Sequence, residues 1–479
     1  MTEPPTAFGV SVPYLPSVFH VMAKPTGAVC NLDCEYCYFL SKEQLYPGSK
    51  LRMSDAVLEA YVGQLLEAHV GADEVVVAFQ GGEPTLMGLA FFRRVLEVER
   101  RCARRGQKIQ NTIQTNGTML TDAWGDFLAE NQFLVGLSID GPRSIHDAYR
   151  VDKGGRPTFE RVMRGLGVLK RHRVEWNALT TVHAANGDHG RAVYAFLRDD
   201  CGAVFIQFIP IVERTTRQQL ARAEAVRMVR ARARALYRQE GDQVTSRSVG
   251  PDQYGRFMID VFEEWIRHDV GSVFVQLFDT ALGHWLGMEQ GGICVHAKTC
   301  GLQVALEHNG DLYSCDHFVE PKYLLGNISQ GRSLRELVNS PSQLRFGLDK
   351  YEALPQYCLD CDVRFACNGG CPKDRFAVAP TGDPGLNYLC TGYRQFFRHV
   401  DRPMRLMARL VRSGREARGV MEVVLDEDAR RLPNSPCSCG GAETWEQCHG
   451  GPVRGGAASI ALDRSADRAG SQGSGGNSA

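Results

Sequence analysis

Short apolar runs alternate with longer amphipathic segments from about residue 17 to residue 211. The runs are VFHVMAK (18–24), VVVAFQ (75–80), IQNTIQT (109–115), FLVGLSI (133–139), NALTTV (177–182) and VFIQFIPI (204–211). They are strand-length and rich in β-branched and aromatic residues. Between the first two, Val57, Leu58, Tyr61, Val62, Leu65 and Leu66 recur at helical spacing behind Ser54, whose hydroxyl suits an N-cap. The alternation predicts six successive βα units and an α/β fold class, a parallel sheet curled into a partial (β/α)6 barrel of TIM type. Active sites in such barrels lie at the C-terminal ends of the strands. There this chain places CNLDCEYC, GGEPT, NGT and DGP, after the first four strands in turn. Each loop alone has turn composition; together they are expected to converge on one face.

Beyond the barrel, residues 214–239 are rich in Ala, Arg and Gln without Pro or Gly, which predicts a helix or a bent pair with a solvated basic face. Residues 251–268 predict a second amphipathic helix. From Cys294 to Cys390 long periodic segments are few and cysteines are many, so metal should organise this region as much as a core does. Residues 453–479 are Gly, Ser and Ala rich, and disorder is expected there.

Composition fits two or three globular domains: 479 residues, 43% hydrophobic and 23% charged. Lys+Arg and Asp+Glu both number 55, so no bulk field draws the chain to nucleic acid or to an anionic membrane. No run approaches the roughly 18 apolar residues of a membrane helix. The first residues, MTEPPTAFGV, lack the basic start and apolar stretch of an export signal. The expectation is a cytoplasmic protein with no nucleic-acid or membrane partner. In that reducing compartment its 16 cysteines read as metal ligands rather than disulfides.

The cysteines fall into groups. Cys30, Cys34 and Cys37 are spaced C-x3-C-x2-C, an odd number that suits a cubane cluster with one iron left open for a small molecule. Cys294, Cys300, Cys315, Cys358, Cys361, Cys367, Cys371 and Cys390 suffice for two four-thiolate sites, of zinc or of iron and sulfide; spacing alone does not choose. Cys437, Cys439, Cys448 and His449 form a three-sulfur, one-nitrogen set that suits a small zinc site. Cys102 and Cys201, lone cysteines in helical segments, read as buried apolar groups.

In order along the chain, CNLDCEYCY, FQGGEPTL, QTNGT, LSIDGP, HDAYR, FIQFIP, the pair Cys315-Asp316 and CNGGCPKDR resemble the radical S-adenosylmethionine (radical SAM) enzymes that carry a SPASM domain, and above all the anaerobic sulfatase-maturating enzymes. The resemblance runs from about residue 17 to 400. It implies a radical SAM partial barrel over 17–240, a helical linker over 241–290 and a SPASM domain with two auxiliary iron–sulfur clusters over 291–400. A second helical linker over 401–430, a zinc motif resembling SEC-C over 431–452 and the tail from 453 to 479 complete the expected division.

The implied cofactors are three [4Fe-4S] clusters and S-adenosyl-L-methionine, with zinc at the C-terminal motif. By the resemblance, Cys30, Cys34 and Cys37 hold the cluster whose free iron chelates the cosubstrate, and one electron then yields a 5'-deoxyadenosyl radical. Cys294, Cys300, Cys315 and Cys371 match the first auxiliary cluster; Cys358, Cys361, Cys367 and Cys390 match the second. Tyr36, Gly82, Ser138, Arg150 and Val212 match cofactor contacts, and Gln80 matches a position facing the substrate peptide. Asp316 matches the base. The implied activity is that of an oxidoreductase that turns a Cys or Ser of a sulfatase polypeptide into Cα-formylglycine, served by an electron donor such as flavodoxin or ferredoxin.

Two departures stand out. Phe39 replaces a second Tyr after the cysteine triplet, and the Cys437–His449 motif lies outside the core family. A peptide maturase forming thioether or carbon crosslinks shares much of the scaffold. A non-catalytic electron carrier or zinc adaptor would explain the eight later cysteines but not an open triplet on a barrel.

Overall fold

The computed structural model describes residues 18–226, 236–288, 292–437 and 443–449. Strands β1 (His20–Lys24), β2 (Glu74–Phe79), β3 (Lys108–Thr115), β4 (Leu134–Ser138), β5 (Trp176–Val182) and β6 (Phe205–Pro210) lie side by side in chain order, every pair parallel. Each matches its expected run to within two residues. Parallel neighbours need crossovers, and helices α1 (Asp55–Ala68), α2 (Leu89–Cys102), α3 (Asp122–Glu130), α4 (Arg143–Tyr149), α5 (Phe159–Arg171) and α6 (Gly190–Ala195) occupy them.

Ser54 caps α1 by accepting from the Val57 amide at 3.4 Å, and Leu58, Tyr61, Val62, Leu65 and Leu66 of that helix are buried. Phe79 of β2 meets Phe92 of α2, which in turn meets Trp124 of α3 and Phe133, ring centroids 5.4–6.1 Å apart. Edge-on aromatic contacts of this kind join strand to helix across the core. Cys201 is fully buried in that core, and Cys102 packs against it.

The sheet does not stop at six strands. Phe274–Val275 pairs in parallel with the far side of β6. On the near side Gln303–Glu307, from the cysteine-rich region, pairs in parallel with β1 over five residues, from His20 against Gln303 to Lys24 against Glu307. Antiparallel strands Asp311–Tyr313 and Leu324–Asn327 follow, giving ten in one sheet. The expected boundary at residue 291 therefore marks a change of composition and not a break in hydrogen bonding. Val304, Ala305 and Leu306 are fully buried, which explains why so short a run between two cysteines holds its place as a strand.

The predicted helix over 251–268 is present as Pro251–His268. It packs on α6, on Cys390–His399 and on Gly419–Ala429. Its crossing with Cys390–His399 is close because both partners are glycine: a Cβ on Gly255 would lie 2.8 Å from the Gly392 Cα, and one on Gly392 would lie 2.1 Å from the Pro251 carbonyl oxygen. Of residues 214–239, Arg214–Thr215 is a short strand paired with Gln243–Val244, and Arg217–Val226 is helical; residues 227–235 lie outside the described residues. So does the expected disordered tail. No helix among the described residues is long and apolar enough to cross a membrane.

Candidate functional site

The loops after β1 to β6 meet at one end of the barrel, as the turn-rich strand ends predicted. The cysteine loop follows β1 and is held by backbone from its neighbours. The amides of Gly82 and Glu83 donate to Gly27 and Val29 carbonyls at 2.9 Å, and those of Asp33 and Glu35 donate to Val151 and Tyr149 at 2.8 and 2.9 Å. A Cβ on Gly82 would stand 1.9 Å from the Val29 carbonyl oxygen, so the glycine lets the end of β2 approach the cysteine loop closely.

Glu83 is fully buried beneath this loop. Its carboxylate accepts from the Thr85 amide and hydroxyl, the Thr115 hydroxyl and the Asn116 amide at 2.7–3.0 Å, tying the end of β2 to the end of β3. Burial raises its pKa against these bonds. The Asn116 side-chain amide reaches Cys30 Sγ at 3.7 Å and Asn31 at 2.9 Å, and the Leu32 amide donates to Cys30 Sγ at 3.3 Å. Burial, then the Glu83 charge, push the Cys30 thiol up to about 12, with Cys34 and Cys37 adding to the rise. Three thiols held together in one loop are a donor set that a positively charged metal centre would deprotonate and hold.

Around this loop the expected cofactor residues take definite places. Arg150 and Asp140 form a buried two-point ion pair, guanidinium nitrogens 2.8 and 3.0 Å from the two carboxylate oxygens. The Tyr36 hydroxyl donates to the same carboxylate at 2.6 Å, and the Thr181 amide does so at 3.0 Å. Burial alone would raise the Asp140 pKa, but Arg150 opposite holds it well below the usual carboxylate range. His183 is fully buried, stacked 5.7 Å from the Tyr36 ring.

Ser138 ends β4, and its hydroxyl accepts from Gln114 at 3.0 Å. Val212 belongs to the main core, and its neighbour Ile211 is the residue that packs against Leu32, Cys34 and Tyr36. Asp140 and Glu83 were visible only as letters of the SIDG and GGEP motifs, and Asn116 only within QTNGT.

The eight later cysteines include four coupled to one another by charge and four that share a cavity. Charge on Cys294 and on Cys371 opposes ionisation of Cys315, charge on Cys294 opposes that of Cys300, and charge on Cys300 opposes that of Cys371; burial is the larger cause in each. Cys358, Cys361, Cys367 and Cys390 line one cavity together. A buried lysine and a half-buried arginine lie among them. Lys350 Nζ donates to the Cys294 and Val295 carbonyls at 2.6 and 2.9 Å, and Arg375 donates to Asn368, Gly369 and Gly370 carbonyls at 2.9–3.2 Å between the two sets. Buried positive charge beside thiols fits anionic thiolate-bound clusters. No cysteine among the described residues is in a disulfide.

Asp316 follows Cys315 directly and faces the end of β1. Lys24 Nζ contacts one carboxylate oxygen and the Tyr38 hydroxyl donates to the other at 2.6 Å. Burial raises its pKa, but Lys24 and then His317 outweigh burial and bring it to about 2. The carboxylate is therefore ionised at neutral pH. Lys24 Nζ also lies 3.7 Å from the centroid of the Phe39 ring, so the residue in the departing position packs against the cation of this network. Gln80, one residue past β2 and half-buried, donates its backbone N–H to the Ala23 carbonyl at 2.9 Å. Lys24 and Tyr38 were missed by sequence reasoning: one looked like the last residue of a strand, the other like part of a cysteine motif.

At the C-terminal motif, His449 Nδ1 is 3.1 Å from both Cys437 Sγ and Cys448 Sγ. Among the described residues this is the one group whose three ligand atoms all lie within 4.8 Å of one another, the spacing of a single tetrahedral ion. Cys439 lies outside the described residues. The motif sits on helix Pro251–His268, with Arg191 donating to the Cys448 carbonyl and Trp445 between Arg267 and Arg431, 4.8 and 5.1 Å from its ring.

A parallel partial barrel with a three-cysteine loop at its mouth, continued by a cysteine-rich domain, is the architecture of a radical SAM enzyme with a SPASM domain. Residues 25–197 match the model of the radical SAM superfamily, and residues 298–362 match that of the SPASM iron–sulfur cluster-binding domain. The serine-type anaerobic sulfatase-maturating enzyme of Bacteroides thetaiotaomicron is 44% identical over 409 residues, covering 85% of this chain and 95% of that protein. The cysteine-type enzyme of Clostridium perfringens strain 13 is 32% identical, covering 79% and 95%. The solved structure of native anSMEcpe with bound AdoMet superposes with a TM-score of 0.70 at 31% identity, covering 81% of this chain and 99% of that one; the complex with AdoMet and Cp18Cys peptide gives 0.69. The chain belongs to the anaerobic sulfatase-maturating enzymes. It is thus an oxidoreductase-type enzyme whose domains imply [4Fe-4S] clusters and S-adenosylmethionine.

Proposed function

We propose that this enzyme oxidises a Cys or Ser side chain of a sulfatase polypeptide to Cα-formylglycine. The observation that carries the reading is Asp316, held between Lys24 and Tyr38 where the cysteine loop of the barrel meets the auxiliary domain. When bound, the reduced cluster and S-adenosylmethionine supply a carbon radical able to take a hydrogen atom from a side-chain Cβ. The protein's own part is positional. Cys30, Cys34 and Cys37 present three thiolates, and the Tyr36–Asp140–Arg150 network fixes the wall beside them. Asp316 accepts the proton of the substrate thiol or hydroxyl, and Gln80 faces the peptide from the end of β2.

In this reading the chain holds three [4Fe-4S] clusters, on the sets already described, and zinc at Cys437, Cys439, Cys448 and His449. Its electron partner is a carrier such as flavodoxin or ferredoxin. The enzyme works in a reducing, cytoplasmic setting, where cysteines serve as metal ligands rather than disulfides.

The test is to incubate anaerobically reduced enzyme and S-adenosylmethionine with a CxPxR peptide and weigh the product. Asp316→Asn should still release 5'-deoxyadenosine but lose at least about 90% of peptide oxidation, in line with the usual worth of a general base. Unimpaired aldehyde formation by that variant would remove Asp316 as the base. A peptide that keeps its mass while 5'-deoxyadenosine accumulates would refute the substrate assignment.

A further inference from the structure

Cys361 belongs to two cavities. Inward it lines the one shared with Cys358, Cys367 and Cys390; outward it lines another, of about 610 Å³ and open to solvent, with Lys298, Tyr351, Arg364, Phe365 and Met288. The last two are 44% and 53% exposed, large apolar side chains left in water beside a predicted cluster ligand. The Phe365 ring lies 4.7 Å from that of Trp285, which lines an adjoining cavity of about 530 Å³ with Arg402, Arg405, Arg409 and Arg412.

Those four arginines share one stripe of helix Asp401–Arg412, because offsets of three, seven and ten residues return to the same face. The opposite face buries Met404, Met407 and Leu410. Six Lys and Arg side chains line the two cavities against two acids, Asp362 and Asp401. Asp362 is matched by Arg398 at 2.8 Å, Asp401 by Arg405 at 2.9 Å and the Trp285 indole at 3.0 Å, and Arg402 by Glu427 at 2.9 Å, which leaves Lys298, Arg364, Arg409 and Arg412 to set the field. On a chain with no net formal charge, this is a concentrated positive field around the outermost thiol of the second set.

We propose that this face docks a small acidic one-electron carrier protein, which exchanges electrons with the second auxiliary set through Cys361. The proposal rests on the cluster assignment of the preceding subsection. Converting a side-chain CH2–SH or CH2–OH to the thioaldehyde or aldehyde removes two hydrogens. One leaves as a hydrogen atom to the nucleoside carbon and one as a proton to Asp316, and the remaining electron needs an acceptor. An oxidised carrier seated here takes that electron and is reduced by one. Exposed aromatic and apolar side chains at the centre with arginine around them are the composition of a transient protein interface, and charge complementarity to an acidic partner speeds encounter. The sulfatase polypeptide is disfavoured as occupant because Asp316 adjoins the first set, not the second.

The experiment uses the full chain reconstituted with iron and sulfide, with flavodoxin as probe. Iron content and the EPR signals of the auxiliary clusters are recorded first, since wild-type enzyme without auxiliary iron would overturn the cluster reading and this proposal together. Arg405→Glu/Arg409→Glu is compared with Arg93→Glu/Arg105→Glu, exposed positions on and just after α2. The first pair should weaken flavodoxin binding at least about tenfold at low salt and slow electron transfer from dithionite-reduced enzyme similarly, a gap that narrows at about 0.3 M salt. Cluster spectra and dithionite-driven cosubstrate cleavage should not change. Unaltered affinity with intact clusters, an equal loss in the control pair, or displacement of flavodoxin by a CxPxR peptide would each overturn the docking site.

Discussion

A single methyl group at position 82 would collide with the loop that carries the three cysteines. Its Cβ would lie 1.9 Å from the Val29 oxygen, and the hydrogen bonds from the Gly82 and Glu83 amides that flank that contact would stretch or break. Gly82→Ala should therefore destabilise the loop by about 1–3 kcal/mol, the usual cost of overpacking. The observable is selective: S-adenosylmethionine-perturbed EPR signal and 5'-deoxyadenosine release should fall severalfold while the auxiliary-cluster signals persist. Full retention of the first would show that the loop can give way. At this scale the sequence revealed ligands better than supports. Cysteine spacing marks candidate ligands within a motif, whereas Asp140 meets Tyr36 from 104 residues away and Arg150 from ten, across α4. Neither separation has a periodicity to read. Lys24 is hidden for a related reason: strand alternation locates its backbone but says nothing of a carboxylate 292 residues later.

Helix α4 shows what the element scale adds. It carries the HDAYR motif, and within it His146 is fully buried, its ring nitrogens facing the Asp140 amide at 3.4 Å and the Thr158 hydroxyl at 3.1 Å. Burial, with Arg150 nearby, lowers its pKa to about 3, although Asp140 pulls the other way. The unfolded chain's histidine titrates near 6.5, so between about pH 6.5 and 3 the unfolded state binds a proton the folded state refuses. The resulting stability is complete above that window and declines as pH falls through it. Lowering the pH from 6.5 to 5.5 should cost the native enzyme about 1 kcal/mol more than His146→Gln, read from anaerobic denaturation midpoints. Equal losses would place the proton elsewhere. The same scale explains the one architectural surprise. A five-residue strand flanked by cysteines is too short to register as periodic, and only the burial of Val304, Ala305 and Leu306 against β1 makes it part of the barrel sheet.

At the scale of the whole molecule, the composition shift near residue 291 suggests a module that could be cut away. The hydrogen bonding says otherwise. Strand Gln303–Glu307 covers β1 along its full length, and β1 ends in Lys24, the partner of Asp316. A chain ending at residue 290 would lose more than eight cysteines. It would leave β1 as a bare sheet edge, with Val21 and Ala23 fully buried in the intact protein and a row of amides and carbonyls unpaired. Such an edge is a template for other chains. The shortened protein should associate into large soluble or insoluble species in light scattering at micromolar concentration, and a clean monomer would contradict this. The strand that joins the auxiliary domain to the barrel thus also acts as a guard against aggregation. A lineage that discarded the auxiliary clusters would first have to find another way to close that side of its sheet.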